Sequence, residues 1–138
     1  MKQYLVILFL SLISLEGIGQ INNESYFVAK WTSGEYDQND SIVKAGIRRG
    51  GPVTLVLNAD NSAYYSTGLN CGFGSKMSGT WSYQSDTISL HFSAIEPYNV
   101  HPDFNSEPRT LKFKVKYLTR NGLILIRNSG TEEMFCKI

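Results

Sequence analysis

The sequence predicts an antiparallel all-β meander closed into a small barrel, with a two-sheet β-sandwich as the alternative. Three observations predict it. Leu111, Phe113, Val115 and Tyr117 alternate with Lys112, Lys114 and Lys116, a period of two that gives a strand one dry and one wet face. Arg120-Asn121-Gly122 then supplies a turn that tolerates φ > 0, and residues 123–127 read as the returning strand. That unit recurs along most of the chain, giving about seven or eight short strands and no long helix. Closure is favoured because an open sheet would leave bare edges.

With 138 residues the chain has the length of one domain. It opens on Lys2, an apolar run from Tyr4 through Leu10, then Leu12, Ile13 and Leu15. Gly17-Ile18-Gly19 follows, with small residues where signal peptidase reads them. The run falls short of the roughly 20 residues of a membrane-spanning helix. Residues 1–19 are therefore expected to be a cleaved signal peptide, and residues 20–138 a single exported domain, periplasmic or secreted. No cysteine stands at the junction, and no later apolar run is long enough to cross a bilayer as a helix, so no anchor is expected after cleavage. Cleavage removes Lys2 and Glu16 and leaves the net charge at +1, which gives no ground for nucleic acid as a partner.

Both cysteines, Cys71 and Cys136, lie in the exported part. An oxidising compartment makes a disulfide the natural expectation, worth about 4 kcal/mol for a loop of that length in the chain-entropy model. The alternative is two unpaired thiols.

Taken in order, residues 26–31 form a first strand with Phe27, Ala29 and Trp31 on one side. Residues 33–52 are broken by Gly34, Gly46, Gly50 and Gly51. There Asp40 is placed to cap a short helix over residues 42–45, and Arg48-Arg49-Gly50-Gly51 reads as an exposed basic turn. Val53, Leu55 and Leu57 face inward on the next strand, and Ala59-Asp60-Asn61-Ser62 turns the chain into residues 63–67. A glycine-rich loop over residues 68–75 precedes a strand at 76–84, where Trp81 and Tyr83 share a face. Ser85-Asp86 makes a tight turn, and residues 87–93 run back with Ile88, Leu90 and Phe92 inward. A long loop at 94–108 leads to the lysine-bearing hairpin. The final strand, residues 132–138, puts Met134, Cys136 and Ile138 on one face, and Glu132-Glu133 reads as its solvated start.

Three strings resemble the lipocalin-like domains of small exported bacterial proteins. They are Thr54-Leu55-Val56-Leu57-Asn58-Ala59-Asp60-Asn61-Ser62-Ala63-Tyr64-Tyr65, then Ser78-Gly79-Thr80-Trp81-Ser82-Tyr83 running on to Asp86-Thr87-Ile88-Ser89-Leu90. The third is Tyr117-Leu118-Thr119-Arg120-Asn121-Gly122-Leu123-Ile124-Leu125. Two departures stand out: Ala29-Lys30-Trp31 has Ala where lipocalins proper carry Gly-x-Trp, and the usual Asp-Gly turn is Asp60-Asn61. The resemblance implies an up-and-down barrel of about eight strands whose mouth or interior takes up something small.

No constellation of reacting groups emerges. His91 falls outward by parity, and His101 beside Asp103 is short of the three or four ligands that zinc needs. Gly-x-Ser-x-Gly is absent, and Glu96, Asp103 and Glu107 share one loop with nothing to raise a carboxyl pKa. The glycines around Cys71 lead into a strand, whereas phosphate loops lead into a helix. Catalysis, a metal and a cofactor are therefore not expected, and Lys112, Lys114 and Lys116 read as a solvated face. The expected function is non-catalytic binding of a small apolar or amphipathic ligand in or at the mouth of the barrel. Trp81, Tyr83, Phe92, Phe113 and Tyr117 would line it, and the loop carrying Tyr98 and Phe104 would cover it. The alternative is a protein-interaction or inhibitor module that uses the rim loops over a filled barrel. A cavity of a few hundred Å³ would favour the first and a filled interior the second.

Overall fold

Strand β1 (Ala29–Asp37) closes the barrel, because its first half has a partner on each side. Residues 29–32 pair with β3 (Thr54–Leu57), and residues 31–33 pair with β9 (Glu132–Lys137), both antiparallel. From β3 the meander continues through β4 (Ser62–Ser66), β5 (Ser75–Gln84), β6 (Thr87–Pro97), β7 (Arg109–Leu118) and β8 (Gly122–Arg127) to β9. The result is the expected eight-stranded closed antiparallel barrel, not the sandwich. The computed structural model describes residues 24–37, 42–45, 52–68, 74–99 and 104–138. The expected signal peptide, Arg48 and Arg49, Cys71, His101 and Asp103 lie outside the described residues.

One element differs in kind from the sequence reading. Residues 42–45 form β2 (Ile42–Ala45), a strand paired with residues 34–37 of β1, where the sequence suggested a short helix. Four residues are too few to hold a helix alone, whereas β1 runs past its barrel partners and offers a ready ladder. Among the described residues no helix is long and apolar enough to cross a membrane.

Inward parity agrees with the sequence along most strands. Leu55 and Leu57, Trp81, Ile88, Leu90, Phe92, Phe113, Leu123 and Leu125 are all buried in one core. Lys112, Lys114 and Lys116 point to solvent. Two bulges break the alternation. On β6, Ser78 faces Ala94 while Gly79 faces Phe92, so Ser93 is the extra residue and Ile95 turns inward beyond it. The strand thereby runs on to Pro97 and takes the first four residues from the expected loop at 94–108. On β7, Val115 faces Leu125 while Tyr117 faces Ile124, so Lys116 is the extra residue. Beyond it Leu118 joins the core and Tyr117 stands on the outer face, a correction to its expected inward place.

The last strand also corrects the reading. Met134, Cys136 and Ile138 do share a face, but it is the outer one; Glu133 and Phe135 point inward. Glu133 is 5% exposed, so it is not a solvated strand start. Cys136 is half-buried, its Sγ 3.6 Å from the Lys137 carbonyl oxygen, and its expected partner Cys71 lies outside the described residues.

The two ends of the barrel are built differently. At the closed end a turn of 3-10 helix (Glu24–Tyr26) feeds Phe27 under the barrel, its ring centre 4.6 Å from that of Tyr83. Trp31 Nε1 donates to the Phe27 carbonyl at 3.0 Å, and Trp81 Nε1 donates to the Asn58 carbonyl at 2.9 Å. The tight turns gather here: Ser85 and Asp86 both have positive φ, as a two-residue hairpin turn requires, and Asn61 has it in the β3–β4 turn. There Ser62 donates to Asp60 Oδ1 through N and Oγ, and these bonds hold the Asp60 carboxyl below its usual pKa. The longer connections, β4–β5 and β6–β7, lie at the other, open end.

Gly79 lies against β6 with no room for a side chain. A Cβ built there would sit 1.9 Å from the His91 carbonyl oxygen, inside the bulge. Gly79→Ala is therefore expected to destabilise the barrel by about 1–3 kcal/mol in urea unfolding, since backbone cannot swing aside as a side chain does. Gly130→Ala meets no atom within 4 Å but must hold φ +82°, and should cost about 1 kcal/mol.

Candidate functional site

Near the open end a polar bridge crosses the interior. Alternation carries Leu123 and Leu125 inward on β8 and so brings Arg127 inward as the strand's last residue. The same rule on β9, counted back from Phe135, brings in Glu133. Tyr65 reaches them from β4 on the far wall: its hydroxyl donates to Glu133 Oε2 at 3.1 Å, and Arg127 Nη2 donates to the Tyr65 oxygen at 3.2 Å. Arg127 Nε donates to Glu133 Oε1, completing a three-residue ring of bonds. Beneath it lie aromatic rings: Phe92 is 6.2 Å from Tyr65, and the Arg127 guanidinium stands 5.6 Å from the centre of Phe113.

Electrostatics follow from burial. Removal from water disfavours the phenolate of Tyr65, and the Glu133 carboxylate adds to that, so its pKa is pushed up to about 12 against partial relief from Arg127. For Arg127, burial works against the charge, but Glu133 and Tyr65 outweigh it and the net shift is upward. The bridge therefore consists of a neutral phenol, a carboxylate and a guanidinium that holds its proton firmly. A buried ion pair of this kind contributes little net stability, yet removing one partner strands the other. Among the described residues every buried side-chain nitrogen and oxygen has a partner.

The barrel wall is open beside this bridge. Pairing between β7 and β8 stops at Phe113 and Arg127, while β7 goes on beside β6 as far as Arg109. A cleft of about 210 Å³ occupies the gap, lined by Leu111, Lys112, Phe113, Arg127 and Ser129 among others.

Rim residues complete the open end. Tyr98 is hydrogen-bonded through its hydroxyl to Ser66, its N donates to the Gly74 carbonyl at 3.0 Å, and Lys76 Nζ stands 5.0 Å over its ring. It ties the end of β6 to the β4–β5 connection while keeping an exposed ring. Phe104 is half-buried and packs against the core as a plug.

The expected lining residues thus fall in four places. Trp81 and Tyr83 belong to the closed end, where Tyr83 Oη donates to Asp86 Oδ1 at 3.0 Å. Phe92 and Phe113 lie under the bridge, Tyr98 and Phe104 at the rim, and Tyr117 outside. Bridge residues Tyr65, Arg127 and Glu133 were not singled out in the sequence, although continuing the Leu123–Leu125 alternation by one step points to Arg127. His91 faces outward as expected, its Nδ1 3.0 Å from Thr110 Oγ1. Among the described residues no three His, Cys, Asp or Glu side chains gather as a metal site.

Tyr65→Phe tests the electrostatics. Below about pH 10 the phenol is neutral folded or unfolded; from there to about pH 12 only the unfolded chain ionises. Stability should fall by roughly 2–3 kcal/mol across that window in the wild type, and the variant should lose that part of the decline. Arg127→Met, which strands Glu133, should cost more than the double variant Arg127→Met/Glu133→Leu when both are measured by urea unfolding.

No protein-family model and no curated protein matches the chain, but solved structures do. The crystal structure of a lipocalin-like protein from Bacteroides uniformis matches 82% of this chain and 99% of its own, with TM-score 0.50 and 21% identity. That of an uncharacterized protein from Bacteroides eggerthii matches 80% of this chain and 98% of its own, with TM-score 0.46 and 20% identity. Together with the closed eight-strand order, the first of these makes the fold a lipocalin-like barrel, as the three strings in the sequence implied.

Proposed function

We propose that this chain is an exported, non-catalytic binding module that meets a protein partner through the rim of its open end. The observation that carries the reading is the filled interior. Trp31, Leu55, Leu57, Ile88, Leu90, Leu123 and Leu125 are each 0% exposed, and a side chain bordering a water-sized void would show exposed surface there. Above them the Tyr65–Arg127–Glu133 bridge spans the barrel. The lateral cleft beside Arg127, at about 210 Å³, is smaller than the roughly 300–1,000 Å³ typical of small-molecule sites. A carrier that swallows its ligand is thus the weaker reading, and the rim, with Tyr98 and Lys76 exposed beside each other, is the stronger. The N-terminal sequence supports export.

Native mass spectrometry of the protein purified from its own host tests this. The expected result is a chain beginning at Gln20 and a stoichiometric protein complex that Tyr98→Ala/Lys76→Gln abolishes while far-ultraviolet circular dichroism shows the barrel still folded. A chain that retains residues 1–19 would overturn export. A small molecule held inside the barrel, with no protein bound, would overturn the rim reading.

A further inference from the structure

The closed end carries a concavity that the barrel does not need. It measures about 540 Å³, within the range of small-molecule sites, and is lined by Ser25, Tyr26, Leu118, Thr119, Arg120 and Lys137. Each wall has a structural origin. Leu118 is there because the bulge at Lys116 turns it toward the core, where it packs with one side against the barrel. Arg120 sits in the β7–β8 turn, which Thr119 fastens at both ends: its N donates to the Gly122 carbonyl at 2.8 Å, and its Oγ1 accepts from Gly122 N at 3.0 Å. Lys137 N donates to the Asn121 carbonyl at 2.9 Å, tying the end of β9 to the same turn. Both cations are thus mounted on hydrogen-bonded backbone.

Two further features mark the cleft as a site. Among the described residues the large apolar side chains left in water are Tyr26 at 59% exposure, Tyr98 at 36% and Ile138 at 63%. Tyr26 lines this cleft, and Ile138 directly follows Lys137. Ion pairs among the described residues join Lys116 to Glu132 and Arg127 to Glu133, and neither includes Arg120 or Lys137. Lys137 Nζ stands 6.0 Å from the centre of the buried Trp31 ring.

We propose that this cleft is a binding site for a small anionic amphiphile, independent of the rim. The ligand's carboxylate, sulfonate or phosphate meets Arg120 and Lys137, and its apolar body lies along Tyr26 and Leu118. Two cations of one sign on a partly apolar floor favour such a molecule over a neutral sugar or a cation.

Calorimetric titration of the purified chain with sodium decanoate, kept below its micelle concentration, tests the site, with decanol as the uncharged counterpart. Decanoate should bind at one site, decanol should bind at least about tenfold more weakly, and Arg120→Gln/Lys137→Gln should weaken decanoate by a similar factor. Lys112→Gln/Lys114→Gln, on the outer wall, should leave binding unchanged, as should Tyr98→Ala/Lys76→Gln, so failure here is distinct from failure of the rim reading. Far-ultraviolet circular dichroism confirms that each variant is folded. Absence of decanoate binding, equal binding of decanol, or equal loss in the outer-wall variant would overturn the proposal. So would binding seen only with phosphatidylglycerol vesicles and not with free decanoate, which would make the surface a membrane contact.

Discussion

The double pairing of β1, with β3 on one side and β9 on the other, is the contact on which the remaining structure depends. Without it the meander would be a twisted sheet with two bare edges and an apolar face open to water. With it, every inward side chain meets others across a short distance, and the inside must be filled or lined with satisfied polar groups. Residues at 0% exposure fill most of it. Toward the open end a tyrosine, an arginine and a glutamate fill it instead, each bonded to the other two.

That polar layer is a specificity device more than a source of stability. A carboxylate buried to 5% exposure loses hydration that the guanidinium and phenol return in large part. What the bridge adds is a fixed distance between β4 and the β8–β9 pair, which are not neighbours in the sheet. Slippage of any of the three strands by one residue would turn its polar group outward and leave the other two each short of one bond.

Most of the architecture was legible in alternation and turn chemistry. The strand starting near Val53, the Ser85–Asp86 turn and the lysine-bearing β7 read correctly because local pattern and closed fold agree there. The misreadings of which face a side chain takes have a single physical origin in the count of two. A bulge is invisible to a pattern that assumes strict alternation, so Tyr117 was placed inside and the continuation of β6 past Ser93 was taken for loop. In β9 both parities carry apolar residues, with Met134 and Cys136 on one face and Phe135 on the other, and only the ladder with β8 decides between them. The polar bridge was illegible for a related reason: charged residues near strand ends are ordinarily solvated, and nothing local says that Tyr65 waits across the barrel.

The bulges also set where this chain tolerates changes of length. Each exchanges the inner and outer faces from that point to the end of its strand. Deleting Ser93 would restore strict alternation and leave Ile95 facing inward opposite Met77, whereas an added residue elsewhere in β6 would turn Leu90 or Ile88 into water. Single-residue deletions within the strands are therefore tolerated at the bulges and not elsewhere, and drift in chain length among descendants of this barrel should accumulate there and in the loops of the open end.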